Sequence, residues 1–168
     1  AVKNSPITLS QISEYCIDAI VSVEDKTFRQ NIGLDFNGLV RLSISLITNG
    51  SNGGGSTISQ QVIKNAFQKM YSRNPIDKLN EIIYAVKLNQ LLSKEKILEM
   101  YLNYIYFGNL NYGIQSASMD YFKKNPSDLN LAQCAYLMGI PQSPGIYNPH
   151  GDLELGKERQ KVVLQSMV

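Results

Sequence analysis

Apolar residues recur at helical spacing along most of this 168-residue chain. Ile12, Cys16 and Ile20 lie four residues apart, and Ile97 and Tyr101 repeat that interval. Side chains at this spacing share one face of an α-helix. No segment shows the sustained alternation of apolar and polar residues that is typical of a half-buried strand. The chain is therefore predicted to be an all-α domain.

Local signals set the expected ends of the helices. Thr8 and Gln11 fit a capping box ahead of the first helix. The glycine-rich run at residues 49–55 is expected to be a loop, and Ser56 or Thr57 to cap a helix that reaches about residue 68. The further expected elements are a helix from Pro75 with a buried stripe of Ile76, Leu79, Ile83 and Val86, one capped by Ser93, shorter helices around 113–122 and 128–139, an extended connection over 141–145, and a last helix from about Asp152.

Composition excludes several functions. The net charge of +2 comes without a basic run, so no nucleic-acid partner is predicted. His150 is the single histidine, which leaves no material for a His-based triad or a multi-His metal site. No 18-residue apolar run predicts a membrane-spanning helix. Cys16 and Cys134 sit among apolar neighbours, so two packed thiols are favoured over a disulfide.

Glu24 is the first candidate for acid–base chemistry. It continues the apolar face of the first helix, where lost hydration is expected to raise its pKa toward a value useful for proton transfer. Phe28 would add apolar shielding, and Asp25 could hold a divalent cation or orient a neighbour. The alternative is a carboxylate at a helix end, paired with Lys26 or Arg29.

The segment after the glycine-rich loop is a candidate anion site. Backbone N–H groups at a helix start bind anions, and glycines allow a ligand to approach. The hydroxyls of Ser56 and Thr57 and the amides of Gln60 and Gln61 would add hydrogen bonds to sugar or phosphate oxygens. Lys64 lies two turns beyond Thr57 on the same face. The alternative is an ordinary helix cap after a surface loop.

Glu81 is the second candidate carboxylate. Lys78 lies three residues earlier on the same helix face, and Arg73 lies just ahead of that helix. Cations would keep Glu81 ionised while burial acts on Glu24 in the opposite sense, and such opposed environments are expected of distinct acid and base roles. The alternative is a solvated Lys–Glu pair on a helix surface.

These motifs together resemble the peptidoglycan glycosyltransferase domain of bifunctional penicillin-binding proteins and of monofunctional cell-wall transglycosylases. The resemblance covers about residues 8 to 168. Its motifs are Glu24-Asp25-Lys-Thr-Phe28-Arg-Gln-Asn31-Ile-Gly33-Leu-Asp35, Gly55-Ser-Thr-Ile-Ser-Gln-Gln61 with Lys64, Lys78-Leu-Asn-Glu81, Ile97-Leu-Glu99-Met-Tyr101-Leu102-Asn103 with Phe107-Gly108, and Leu131-Ala132 through Gly139-Ile-Pro141 to Tyr147-Asn148-Pro149.

The resemblance implies a lysozyme-like helical fold with a head lobe and a smaller membrane-facing jaw lobe. Residues 1–168 would form one glycosyltransferase domain, with the jaw-like segment at about 34–54. The implied substrate is lipid II, a disaccharide-pentapeptide on undecaprenyl pyrophosphate. The implied location is the extracytoplasmic face of the bacterial cytoplasmic membrane. The implied partners are lipid II, the growing glycan strand, the membrane surface, a fused transpeptidase domain and divisome or elongasome proteins.

The resemblance also implies residue roles. Glu24 would be the general base on the acceptor 4-hydroxyl in an inverting transfer. Glu81 would support departure of undecaprenyl pyrophosphate, directly or through Mg²⁺ or Mn²⁺ bound with the pyrophosphate. Asp25 is the candidate metal ligand. The residues assigned to substrate binding are Asp25, Phe28, Ser56, Thr57, Gln60, Gln61, Lys64, Arg73 and Lys78.

Three positions depart from the family pattern. Asn31 stands where His is usual and Ser59 where Thr is usual. Asp77 replaces a usual Arg beside Lys78, which alters the charge balance expected at the donor site. One alternative function is therefore an inactive scaffold that binds lipid II. The other is a lysozyme-like enzyme that cleaves glycan, which would not need the cations Lys64, Arg73 and Lys78.

Overall fold

The computed structural model describes residues 6–36, 40, 55–67 and 75–168. Regular structure in these ranges is helical apart from one isolated bridge between Tyr106 and Tyr112. The predicted all-α class is therefore confirmed. The α-helices are α1 (Glu14–Glu24), α2 (Ile58–Ala66), α3 (Pro75–Leu91), α4 (Lys94–Tyr104), α5 (Ile114–Phe122), α6 (Leu131–Gly139), α7 (Pro144–Tyr147) and α8 (Leu153–Ser166), and 3-10 turns cover Leu9–Gln11, Pro126–Asp128 and Ile140–Gln142.

The chain divides into two compact units. The first unit comprises Ala1–Val23 and Leu98–Val168, and the second comprises Glu24–Ile97. Across the described ranges, every helix falls short of the length and apolarity needed to cross a bilayer. Most of the expected jaw-like segment 34–54 lies outside the described residues, so that assignment stays a prediction.

The first unit has an apolar interior that is closed by a disulfide. Cys16 of α1 and Cys134 of α6 are fully buried, and their sulfur atoms are 2.16 Å apart. The expectation of two free thiols is therefore wrong. The sequence shows that each cysteine lies on an apolar helix face, but it does not show that these two faces meet.

Helical turns replace the extended connection predicted at residues 141–145. Pro141 and Pro144 each lie in the first turn of a short helical element, where the missing N–H of proline costs nothing. The last helix begins as predicted, because the Asp152 side chain accepts from the backbone N–H groups of Glu154 and Leu155.

The second unit is built around the contact between α2 and α3. Thr57 caps α2 as predicted: the Gln60 N–H donates to Thr57 Oγ1 at 3.1 Å, and the Thr57 N–H donates to Gln60 Oε1 at 2.7 Å. Pro75 is the first residue of α3, also as predicted. The Lys96 N–H bonds to Ser93 Oγ at 3.2 Å, which marks the expected start of α4.

The buried face of α3 is not the predicted one. Ile76, Leu79 and Ile83 are 69%, 57% and 44% exposed, so three members of the predicted stripe face outward, while the fourth, Val86, is half-buried. Glu81 and Ala85 are buried instead. Lys78 and Asn89 of α3 make hydrogen bonds inside the unit, and burying such a group without a partner would cost about 1 to 3 kcal/mol.

Candidate active site

Asp25 is buried directly after α1 and holds the start of α2. Its Oδ2 atom accepts from the Ile58 N–H at 3.1 Å. Asn31 Nδ2 donates to both carboxylate oxygens at 2.9 and 3.1 Å, and Thr27 Oγ1 donates to Oδ1 at 3.2 Å. Burial raises the pKa of the Asp25 carboxyl, while these hydrogen bonds and the charge of Lys94 act against that rise.

The beginning of α2 is therefore occupied by the protein's own carboxylate. The Ile58 N–H bonds to Asp25, and Thr57 and Gln60 are each only 1% exposed and bonded to each other. These groups form a buried cap, and their assignment to anion binding stays a prediction. Of the predicted segment, Ser56 and Gln61 retain partial exposure.

Glu24 is the last residue of α1 and is half-buried. Gln61 Nε2 donates to Glu24 Oε2 at 2.9 Å, so an amide on α2 sets the direction of this carboxylate. Lys64 is exposed on α2 one turn beyond Gln61. Because residues three apart are neighbours on a helix surface, the Lys64 amino group can reach the region beside Gln61.

Glu81 forms a partly buried ion pair with Lys78, as the spacing predicts. The Lys78 amino group contacts Glu81 Oε1 and also donates to Ser56 Oγ at 3.1 Å. The Glu81 side chain is 6% exposed and that of Lys78 is 39% exposed. A solvated surface pair is therefore excluded, and the buried carboxylate holds a partly exposed cation beside Ser56.

The two candidate carboxylates are linked to the same short segment of the second unit. Glu24 reaches it through Gln61, and Glu81 reaches it through Lys78 and Ser56. Asp77 lies in the first turn of α3, where the helix dipole favours an anion. Arg73 lies outside the described residues, so its predicted role stays a prediction.

Phe28 and Asp25 are both buried, and the roles expected of them stay predictions. Phe28 is 1% exposed, and its ring lies beneath the Lys94 amino group, 4.7 Å from the centroid. Phe28 is therefore a core side chain whose ring contacts the Lys94 amino group. The Asp25 oxygens are engaged by protein donors, and the described ranges contain no group of three His, Cys, Asp or Glu residues suited to a metal. The assignment of Asp25 as a metal ligand stays a prediction.

Sequence reasoning missed Lys94 and Asn89. Lys94 Nζ donates to Asn31 Oδ1 at 3.0 Å and to Asn89 Oδ1, and Asn89 Nδ2 donates to Ser59 Oγ at 2.8 Å. Isolated polar residues on helices usually face solvent, so periodicity gave no signal for them. Asn31 and Ser59, which differ from the usual residues of the family, are the only signal in the sequence, because both belong to this network.

Comparison with known proteins agrees with the sequence motifs. The family model described as Transglycosylase matches residues 1–168. Penicillin-binding protein 1A of Neisseria gonorrhoeae is 42% identical over 164 residues, covering 95% of this chain and 20% of that protein. The corresponding protein of Pseudomonas aeruginosa is 37% identical over 171 residues, covering 99% of this chain and 20% of that protein.

A solved structure supports the fold. The crystal structure of penicillin-binding protein 1A from Haemophilus influenzae matches with a TM-score of 0.56 at 24% identity, covering 98% of this chain and 15% of that one. The family match spans the whole chain, so the chain belongs to the transglycosylase family. The predicted enzyme class, a peptidoglycan glycosyltransferase domain, is confirmed. The chain spans about a fifth of the length of the curated relatives it matches.

Proposed function

We propose that this chain polymerises lipid II into glycan strands by inverting glycosyl transfer. The observation that carries the proposal is the arrangement around Ser56–Gln61, where the amide of Gln61 orients Glu24 and a buried Glu81 holds Lys78. The oriented carboxylate of Glu24 suits a hydroxyl nucleophile, and the cation of Lys78 suits an anionic leaving group.

Glu24 acts on the acceptor. Its carboxylate takes the proton of the acceptor 4-hydroxyl as the oxygen attacks C1 of the donor sugar, and the new glycosidic bond forms as the C1–O bond to pyrophosphate breaks. A single displacement inverts the configuration at C1. The bond from Gln61 Nε2 fixes the carboxylate before substrate arrives, which reduces the reorganisation needed during reaction.

The cations act on the donor. A departing diphosphate is already an anion, so it needs positive charge more than it needs a proton. Lys78 is held in place by Glu81, and the exposed Lys64 lies one turn beyond Gln61. Arg73 would add a third charge. On this proposal Glu81 supports departure indirectly, by positioning Lys78.

A divalent cation would enter with the substrate pyrophosphate and be held mainly by its oxygens. Asp25 accepts from protein donors and Glu81 pairs with Lys78, so the substrate oxygens would supply most of the ligands to that cation. Mg²⁺ commonly binds through substrate phosphates with one or two carboxylates, so a preformed cage of protein ligands is not required.

The proposed location is the extracytoplasmic face of the cytoplasmic membrane. Disulfides persist in oxidising compartments, and the Cys16–Cys134 bond agrees with such a location. The proposed partners are lipid II, the glycan strand and the membrane surface. Because the relatives are about five times longer than this chain, a fused transpeptidase domain and divisome or elongasome proteins are proposed as well.

The test replaces Glu24 by Gln and measures lipid II polymerisation and lipid II binding. Loss of a general base is expected to lower kcat by about 10²- to 10⁴-fold while binding changes little. Glu14→Gln is the matched control, because Glu14 is an exposed residue of the same helix, and it should keep the wild-type rate. Unchanged turnover in Glu24→Gln would refute the base assignment.

Product analysis separates the alternatives. Lengthened glycan made from lipid II supports transfer. Soluble fragments released from finished wall would instead indicate a lysozyme-like enzyme. Binding of lipid II without any product from the wild-type chain would indicate a scaffold.

A further inference from the structure

Lys94 lies at the junction of two hydrogen-bonded branches that both lead to the first turn of α2. Through Asn31 it reaches Asp25, which accepts from the Ile58 N–H. Through Asn89 it reaches the hydroxyl of Ser59. Two consecutive residues of α2 are therefore held by partners of one amino group.

The surroundings of Lys94 show that it is not a solvated surface lysine. Its amino group lies over the buried ring of Phe28, in a geometry that favours a cation. Partial burial lowers the pKa of Lys94, and the charge of Asp25 opposes that fall. Buried polar networks are stable only when their members are satisfied, and here the amino group supplies donors to two amide oxygens at once.

The turn that follows α1 is clamped to the same network. Asn31 Oδ1, which accepts from Lys94, also accepts from the Gly33 N–H at 2.9 Å. The Gly33 carbonyl accepts from Thr57 Oγ1, the cap of α2, at 2.8 Å. The network therefore ties together the turn, the start of α2 and the end of α3.

We infer that Lys94 is a positioning residue for the proposed transfer reaction: it fixes the first turn of α2, and through Gln61 it fixes the direction of the Glu24 carboxylate. This inference rests on the proposed function for its catalytic consequence. Gln61 is the last residue of the turn that the two branches hold, and its amide is 2.9 Å from Glu24 Oε2. Displacing that turn would move the carboxylate relative to the acceptor hydroxyl.

The first experiment compares Lys94→Met with Lys87→Met in lipid II polymerisation. Lys87 is an exposed lysine of α3 outside the network, so its variant should keep the wild-type rate. Misplacing a catalytic group by a fraction of an ångström should lower kcat in Lys94→Met by roughly 10- to 100-fold, with KM within about threefold of wild type. An unchanged kcat, or a loss confined to KM, would overturn the inference.

A double-mutant cycle tests whether Lys94 acts through Gln61. If it does, adding Lys94→Met to Gln61→Leu should lower kcat by no more than about twofold beyond Gln61→Leu alone. Losses that multiply would show that Lys94 acts on the rate by another route.

A readout that does not depend on activity separates this inference from the proposed function. Amide hydrogen exchange over residues 58–61 should be faster in Lys94→Met than in Lys87→Met, with α8 unchanged. Equal exchange would overturn the positioning role even if activity fell. If the wild-type chain made no glycan while exchange responded as expected, the proposed function would fail and the positioning role would stand.

Ser59 provides a milder variant that removes one oxygen only. Ser59→Ala should speed exchange in the first turn of α2 and lower kcat less than Lys94→Met does, because the Asp25 branch remains. Ser59→Thr keeps the hydroxyl and should restore both. Identical behaviour of the Ala and Thr variants would contradict the Asn89–Ser59 branch.

Discussion

The interiors of the two units are stabilised by different kinds of interaction. The first unit buries mainly apolar side chains and adds the Cys16–Cys134 bond. Among the described residues of the second unit, buried polar side chains are nearly as numerous as buried apolar ones. The polar set is Asp25, Thr57, Ser59, Gln60 and Glu81, and the apolar set is Phe28, Ile58, Val62, Ile63, Ala85 and Ile97.

This difference matches what each unit has to do. Apolar contacts are non-directional, so they fix a shape but tolerate small shifts. Hydrogen bonds and ion pairs have required directions, and a buried network must satisfy all of its members. The candidate catalytic residues Glu24 and Glu81 both belong to the unit with the directional interior. In the described part of the second unit, directional contacts therefore fix the placement of these side chains.

The largest expected effect concerns the first unit. Replacing Cys16 and Cys134 together by Ala removes a cross-link between residues 118 apart, which the chain-entropy model values at about 4 to 5 kcal/mol of unfolding free energy. Urea denaturation measures the loss. A reductant should destabilise the wild type to the same extent and leave the double variant unchanged. An unfolding free energy of the wild type that does not change with reductant would mean that the apolar interior alone stabilises the first unit.

Gly33→Ala addresses the second unit. Gly33 has φ +94, and a Cβ there would lie 2.5 Å from both the Ala85 carbonyl oxygen and Asn89 Nδ2. Backbone strain and the clash together should cost roughly 2 to 3 kcal/mol, measured by thermal unfolding. Gly145→Ala is the control, because a Cβ there meets nothing within 4 Å. Equal losses of stability in the two variants would show that the turn after α1 can accommodate a Cβ at residue 33.

The smallest expected effect tests the orientation of α3. Leu79 is 57% exposed, so Leu79→Gln should change the unfolding free energy by no more than about 0.5 kcal/mol. Ala85 is fully buried, and Ala85→Leu should cost about 1 to 3 kcal/mol by overpacking. Chemical denaturation of both variants provides the measurement. The reverse order would restore the orientation that the sequence predicts.

Sequence reasoning succeeded where the relevant interactions are local. Three correct predictions are contacts within one helical turn: the caps at Thr57 and Asp152 and the Lys78–Glu81 pair. The start of α3 at Pro75 depends on the proline alone. The all-α class followed from periodicity in the same way. These features need no knowledge of what lies across the fold.

Sequence reasoning failed where a distant partner decides the outcome. Hydrophobic periodicity assigned the buried face of α3 to residues 76, 79, 83 and 86, of which the first three are exposed and Val86 is half-buried. The side chains of Lys78 and Asn89 instead make hydrogen bonds with residues outside α3. Asp25, 33 residues before Ile58, accepts from the first N–H of α2, a contact that the local sequence did not indicate. The disulfide was missed because Cys16 and Cys134 are 118 residues apart in the sequence.

The disulfide also bears on the order in which the chain matures. The second unit is a continuous insertion between the two segments of the first, and the cross-link closes around that whole insertion. During synthesis from the N-terminus, Cys16 emerges long before Cys134, so its thiol stays without its partner through the intervening synthesis. Oxidation is therefore a late event, and premature pairing of Cys16 with a foreign thiol is a hazard specific to this arrangement.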